Sequence, residues 1–509
     1  MNDILWYHYF HRNCLFYNHS LLLCLFYSAK LRLPKDTSES EVKDRVNDII
    51  DKLDLTRAKN TLIGSPEKKG ISGGQRKRVN LAQELITQPT ILFLDEPTSG
   101  LDPFADRNIM RLLRNLADEG RIVILTTHHI STENFKLFDN IVLLSKGGKV
   151  AYYGPSYPDS LQYFNADDPK EIFKEVEDKA DTIDFSKNYK QSDFYKEYVI
   201  KRKPVDIYKP SSPIKKSKTS SIKQLFILLI RLTRIKISDR ANTLILLLQA
   251  PILAFLIGIT LNISKFTDES IDYMQAIHVM RDFLNPLNVM VLTAIFFGII
   301  NASREIVAER AIYMRERKIF LKIPSYLLSK FVLYAFITFI QSFFLVVILH
   351  TMCHLKISLS LCLLVVYFIS LTSMALGLLL STMTKSPDSA VSVSIFVLIP
   401  QIIYSGAIVP LGKMTLFVKT VSYTCLSRWG LEALLIKEAR NWPDIIKKIP
   451  DPKTGQTITQ VLSMREYMEE TNYLLSNSSF NFNLAMIAIW GLIFLTLVII
   501  LLKLRDRIK

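Results

Sequence analysis

The chain has 509 residues, 49% of them hydrophobic and 22% charged, with 63 Lys and Arg against 47 Asp and Glu, a formal charge of +16. That much apolar surface excludes intrinsic disorder as the dominant state, and five cysteines without a CxxC pair exclude a disulfide scaffold and a structural zinc site. The excess charge has a place: residues 201–240 hold 12 Lys and Arg against 2 Asp and Glu and lead into the first long apolar run, so it suits an anionic membrane surface rather than nucleic acid.

Residues 1–27 are rich in Leu and aromatics, carry Asp3 early and have no basic start, so they do not read as a signal peptide and stay unassigned. From Ser40 to Leu55 the apolar residues Val42, Val46, Ile49, Ile50 and Leu53 recur at helical spacing. Ser72-Gly73-Gly74 then precedes a helical stretch, Gln75–Ile86. A helix start with exposed backbone N–H groups and two glycines is suited to an approaching phosphate, although a plain N-cap before a surface helix uses the same residues.

Thr90–Leu94 and Arg121–Thr126 are short β-branched runs typical of buried parallel strands. The first delivers Asp95 and Glu96 at its C-terminal end, where α/β sheets place ligands. Asp95 suits Mg²⁺ on nucleotide phosphates, and Glu96 suits a general base that polarises a water; an acidic strand end that caps the next helix is the bland alternative. Thr98-Ser99-Gly100-Leu101-Asp102 would start that helix. The second strand ends in Thr126-Thr127-His128-His129, and His128 is placed to contact a γ-phosphate and the attacking water, unless it is an ordinary loop histidine. Asn140–Ser145 and Lys149–Tyr153 around Lys146-Gly147-Gly148 predict a hairpin.

Residues 203–221, with three prolines and several Ser and Lys, read as a linker. Ile222–Ile237 is apolar with Lys223, Arg231, Arg234 and Lys236, which predicts an interfacial helix on the inner leaflet. Six apolar stretches follow: Ala241–Leu261, Phe283–Ile300, Tyr326–Leu349, Ile357–Leu380, Ser389–Pro410 and Leu484–Leu502. Each has about the length that a 30 Å hydrocarbon core asks for, and Lys330 is the only charge within any of them. Basic residues cluster at 201–240, at 301–325 and in the tail, while residues 262–282 carry two basic and four acidic residues. The positive-inside rule then places both ends of a multi-pass integral membrane protein in the cytoplasm. Triplets of the glycosylation type occur at Asn18, Asn262, Asn301 and Asn477.

Order and spacing together resemble the ATP-binding cassette (ABC) ATPase. ISGGQ (71–75) looks like its signature motif, ILFLDEP (91–97) like Walker B, SGLD (99–102) like the D-loop and TTHH (126–129) like the switch-histidine loop. An ATPase ahead of six spans is similar to the G subfamily of ABC half-transporters, and the resemblance runs from about residue 28 to the end. It implies an α/β fold, here a partial P-loop NTPase ABC domain lacking its N-terminal part (28–200), a basic linker and interfacial helix (201–240), and an all-α six-span membrane domain of the ABC-2 type (241–509).

The resemblance further implies ATP and Mg²⁺ as cofactors and a homodimer, or a heterodimer with another ABC half-transporter, in the plasma membrane with the ATPase domain cytoplasmic. Asp95 would bind the metal, and Glu96 and His128 would be catalytic. Ser72, Gly73, Gly74, Gln75, Ser99 and Asp102 would contact the nucleotide from across the dimer. The implied activity is export of an amphipathic or lipid-like substrate; a non-catalytic subunit pairing with an intact half-transporter is the alternative. A soluble nucleic-acid-handling ATPase is excluded by the spans. The aromatic that stacks adenine, the Q-loop glutamine and the Walker A loop of the family lack counterparts here. The first glycine is Gly64, and no G-x-x-x-x-G-K-[ST] follows it, so the 509 residues hold no Walker A loop to cradle phosphates. The resemblance also expects Asn285, Asn288, Gln401 and Ser405 along the substrate path, though each is better suited to bonding between helices than to substrate.

Overall fold

The computed structural model describes residues 4–7, 20–34, 36–64, 70–128, 131–179, 181–202, 220–261, 271–450, 457–474 and 479–507. They form two compact units, residues 1–219 and 220–509. Most of the linker and the triplets at Asn18, Asn262 and Asn477 lie outside the described residues.

In the first unit β1 (Ile4–Tyr7), α1 (Leu21–Arg32), α2 (Glu39–Lys52), α3 (Gly73–Leu85), β2 (Ile91–Asp95), α4 (Pro103–Asp118) and β3 (Ile122–Thr126) come in chain order. The strands make a parallel sheet ordered β1-β2-β3, with Ile4 opposite Ile91 and Ile91 opposite Ile122. β1 is not legible in the sequence, because four apolar residues inside an apolar opening carry no period. The α2 residues Val42, Val46, Ile49 and Ile50 are buried, as their spacing requires, and so are Leu21, Leu25 and Ala29 of α1. Across this core Arg32 makes a two-pronged bond to Glu84 of α3 at 2.8 and 3.1 Å, with both side chains nearly inaccessible.

After α5 (Thr132–Phe135) the hairpin β4 (Asn140–Ser145) and β5 (Lys149–Pro155) turns through Gly147 and Gly148, both at positive φ. Helices α6 (Asp159–Phe164), α7 (Pro169–Asp178), α8 (Phe185–Gln191) and α9 (Asp193–Tyr195) pack an aromatic core on it around Tyr152, Phe164, Phe185 and Tyr189.

The second unit contains α10 (Ser221–Ser238), α11 (Arg240–Thr260), β6 (Ile271–Asp272), α12 (Tyr273–Ser303), α13 (Arg310–Ile319), α14 (Ile323–Met352), α15 (Leu359–Met383), α16 (Pro387–Ile403), α17 (Leu416–Ser422), α18 (Leu426–Glu438), β7 (Ile445–Pro450), β8 (Thr457–Leu462), α19 (Met464–Glu470) and α20 (Phe480–Arg507). Among the described residues five helices, α11, α12, α14, α15 and α20, are long and apolar enough to cross a membrane. The stretch expected as the fifth of six spans gives only the 17-residue α16, which ends at Ile403. It rises about 26 Å, a few residues short of a full crossing, and Gly406 at φ 96° turns the chain before Pro410. The domain is also not wholly helical: β6, β7 and β8 form a small mixed sheet. Its strands escaped detection because Ile445-Ile446-Lys447-Lys448-Ile449 does not alternate.

Two glycines let α12 and α15 meet. A Cβ on Gly298 would lie 2.5 Å from the Ser370 carbonyl oxygen, and one on Gly377 2.5 Å from that of Ile299. The charges at the ends of these helices are paired. Arg231 of α10 grips Glu316 of α13 at 2.7 and 3.3 Å, Lys236 meets Glu305 at 3.0 Å, and Lys330 meets Glu309 at 2.7 Å. Lys330 is therefore tolerated as the lone charge in a span because a carboxylate from the preceding loop reaches it. Gln401 accepts from the Ser427 N–H at 3.0 Å, Ser405 donates to the Ile402 carbonyl, and the buried Asn301 donates to Gln341 at 2.7 Å. These three polar groups serve the packing of the unit itself.

Candidate functional site

The site is built where two parallel strands end side by side. Register sets Asp95 opposite Thr126. The Thr126 hydroxyl donates to Asp95 Oδ1 at 2.5 Å, and the Glu96 N–H donates to the Thr126 carbonyl and hydroxyl at 3.1 and 3.2 Å. Glu96 itself sits at φ 45°, a left-handed conformation that a side chain of this type adopts only where its surroundings hold it. The sharp turn aims the carboxylate at the next strand's exit, and Glu96 Oε1 lies 2.8 Å from His128 Nδ1. With its proton on Nδ1, His128 donates to that carboxylate. Both side chains reach solvent, at 36% and 55% exposure, so an incoming water has access to them.

The turn before α3 is pre-formed by its own side chains. Ser72 caps the helix by accepting from the Gln75 N–H at 3.2 Å, and Gln75 Oε1 accepts from the Ser72 N–H at 2.9 Å. This reciprocal box fixes the first helical turn with its positive dipole end outward. A Cβ on Gly73 would meet nothing within 4 Å, while one on Gly74 would make ordinary contacts with Ala105 at 3.8 Å and Leu101 at 3.9 Å. Nothing in the described chain therefore demands glycine at 73 or 74. A helix start with two glycines and room beside the first of them is chemically suited to an anion.

Ser99 donates its N–H to the Glu96 carbonyl at 3.2 Å, and Gly100 takes φ 71°. Asp102 caps α4, its Oδ1 accepting from the Phe104 and Ala105 N–H groups at 3.1 and 3.0 Å, with Pro103 in the first turn. Lys77, on the face of α3 that carries Gly74, donates to the Ser99 carbonyl. Burial pushes the Lys77 pKa down, and the Glu96 carboxylate pulls it partly back.

The structure thus brings Asp95, Glu96 and His128 to one strand edge and ties the Ser72–Gln75 turn to the Ser99–Asp102 segment through Lys77 and Gly74. Ser72, Gln75 and Asp102 already act as local caps. Asp95 is a single strand-end carboxylate, and no group of three or more metal-ligating side chains gathers among the described residues. That donor set fits a Mg²⁺ delivered with phosphates and waters rather than one caged by protein. Thr126 and Lys77 were not distinguished by sequence reasoning. Thr126 could be singled out only once the strand register was known, and Lys77 only once α3 was seen against residues 98–105.

Comparison with known proteins bears on the two units rather than on the site geometry. A family model described as ABC transporter matches residues 8–99, starting ahead of the point where the motifs become legible, and one described as ABC-2 type transporter matches residues 223–438. An ABC transporter ATP-binding/permease protein of Mycobacterium tuberculosis is 30% identical over 445 residues, 84% of this chain and 48% of that protein. ABC transporter G family member 38 of Oryza sativa is 43% identical over 145 residues, 28% of this chain and 10% of that protein. Pleiotropic drug resistance protein 1 of Nicotiana tabacum is 28% identical over 459 residues, 84% of this chain and 31% of that protein. The chain spans about half the length, or less, of these curated relatives. With a cassette segment ahead of an ABC-2 membrane domain, the chain belongs to the ABC transporter family in the manner of its G-type half-transporters.

Proposed function

We propose that the chain is a transport subunit that works as a dimer in the plasma membrane, cassette on the cytoplasmic side, and exports an amphipathic or lipid-like substrate at the expense of ATP. The observation that carries this is the Glu96–His128 pair, 2.8 Å apart at the strand ends, in one chain with five helices of span length among the described residues. Kinship with a pleiotropic drug resistance protein and a permease supports export.

In this reading Asp95 holds the Mg²⁺ that accompanies the nucleotide and neutralises charge on its phosphates. Glu96 accepts hydrogen from the attacking water, and His128 keeps the carboxylate oriented and reaches toward the terminal phosphate. Ser72, Gly73, Gly74 and Gln75, with Ser99 and Asp102, face a nucleotide bound by the other subunit, where the α3 dipole stabilises its charge.

The 509 residues supply no Walker A loop, so two copies offer two signature turns and no phosphate cradle. A homodimer of this chain then hydrolyses no ATP, because positioning and charge neutralisation account for most of phosphoryl-transfer catalysis. Paired with a half-transporter that has its own loop, the chain closes one composite site through Ser72–Gln75, Ser99 and Asp102, whereas Asp95, Glu96 and His128 belong to the position for which the 509 residues supply no loop. The missing loop favours a second reading, a non-catalytic membrane subunit that regulates an intact partner. ATP hydrolysis by the purified chain, alone and co-expressed with an intact half-transporter, tests both. Transport requires turnover in the mixed dimer that falls when Gly73 is replaced by Asp, whereas a purely regulatory subunit leaves it unchanged. Turnover by the chain alone, abolished by Glu96→Gln, refutes the proposal.

A further inference from the structure

We infer that Lys77 is a positioning residue that ties the helix bearing the signature turn to the turn bearing Glu96. The inference rests on the reading of the site given above. Gly74 and Lys77 are three residues apart, so they share one face of α3. That face meets the segment between β2 and α4: a Cβ on Gly74 would touch Ala105 and Leu101, and Lys77 donates to the Ser99 carbonyl. Ser99 in turn donates its N–H to the carbonyl of Glu96, whose carboxylate stands at His128. A continuous path runs from the first turn of α3 through an ammonium, one backbone carbonyl and one backbone N–H to the residue held at φ 45°.

The path has chemical content because the Lys77 side chain of α3 bonds directly to the Ser99 backbone. Its ammonium is partly withdrawn from water and lies in the field of Glu96. A charged donor on a carbonyl in such a place makes a strong and directional bond. The two ends face different places. The signature turn faces the partner's nucleotide, and Glu96 faces the chain's own strand edge. When α3 settles on the partner's nucleotide, Lys77 carries that shift into the 96–99 turn and places Ser99 and Asp102 for the opposite subunit.

The test uses the full chain co-expressed with an intact half-transporter, reconstituted in nanodiscs, with ATP hydrolysis and amide exchange as readouts. Lys77→Met keeps the stem and removes every donor, while Lys77→Arg restores one. For Lys77→Met kcat falls about tenfold, in keeping with the loss of one bond from a charged donor, with KM for ATP unchanged and the Ser99 amide exchanging faster. Lys77→Arg recovers most of kcat. Gly73→Asp, which enters open space, is the reference that blocks the signature turn without a folding defect. If Gly73→Asp silences the mixed dimer and Lys77→Met matches wild type, the role of Lys77 is overturned while the site reading stands. A rise in KM with kcat unchanged, or an Arg variant as impaired as Met, overturns it as well. If Gly73→Asp has no effect, the reading of the site has failed and the inference falls with it.

Discussion

The Arg32–Glu84 pair offers the sharpest energetic test in the cassette unit. Arg32 closes α1 and Glu84 lies near the end of α3, and their side chains are 2% and 6% exposed. Arg32 also donates to the Gln83 carbonyl at 2.6 Å. Replacing Glu84 by Gln removes the countercharge but leaves the guanidinium in place, which by precedent for buried pairs costs about 3–5 kcal/mol. Replacing both residues, Arg32→Met with Glu84→Leu, removes the charge along with its partner and should return stability to within about 1 kcal/mol of wild type. Cys24 supplies the assay. It is buried in α1, with Gln83 Nε2 3.0 Å from its sulfur, so a thiol reagent reaches it only when α1 opens away from α3. Labelling of the Cys24 peptide in the full chain, followed by mass spectrometry, should accelerate at least about a hundredfold in Glu84→Gln, since each 1.4 kcal/mol is a factor of ten. The double variant should label near the wild-type rate. Wild-type labelling of Glu84→Gln, or a double variant as fast as the single, refutes the assignment of this pair as the buried clasp that seats α3.

Other outcomes follow from particular contacts. Gly73→Ala should leave thermal stability within about 0.5 kcal/mol of wild type, whereas Gly298→Leu should destabilise the membrane unit by several kcal/mol, because a side chain there drives into the Ser370 carbonyl; melting of both in nanodiscs separates the two. Thr126→Val removes the hydroxyl that bridges Asp95 and Glu96, and hydrogen exchange should show a faster Glu96 amide while Thr126→Ser stays protected. Burial raises the Glu305 pKa, but Lys236 and Lys330 outweigh it and hold the carboxyl below its ordinary value. A depressed folded-state pKa contributes stability that is complete above the unfolded value of about 4.3 and is lost as pH falls below it, so the acid limb of the melting curve should be shallower in Glu305→Gln.

Much of the site was legible from residues alone. The β-branched runs ending in Asp95-Glu96 and Thr126-Thr127-His128, the Ser72-Gly73-Gly74 helix start and the apolar stretches are local patterns. A β-branched run, a cap or a bilayer-length run each leaves its mark within about twenty consecutive residues, so no knowledge of contacts was needed to find them, but the burial expected of Arg121–Thr126 is not found: Ile122 and Ile124 of β3 are exposed. The sequence by itself therefore determined which chemical groups are present and their order. It could not supply what depends on two distant segments meeting. The strand at Ile4–Tyr7 exists because Ile91 stands beside it, and Thr126 matters because register puts it across from Asp95. Lys330 is acceptable in a span because Glu309 arrives from another element. The left-handed turn at Glu96 is likewise enforced from outside, by hydrogen bonds to the neighbouring strand. Only the tertiary structure decided these, because pairing, countercharge and enforced backbone conformation are properties of groups that the chain keeps far apart until it folds.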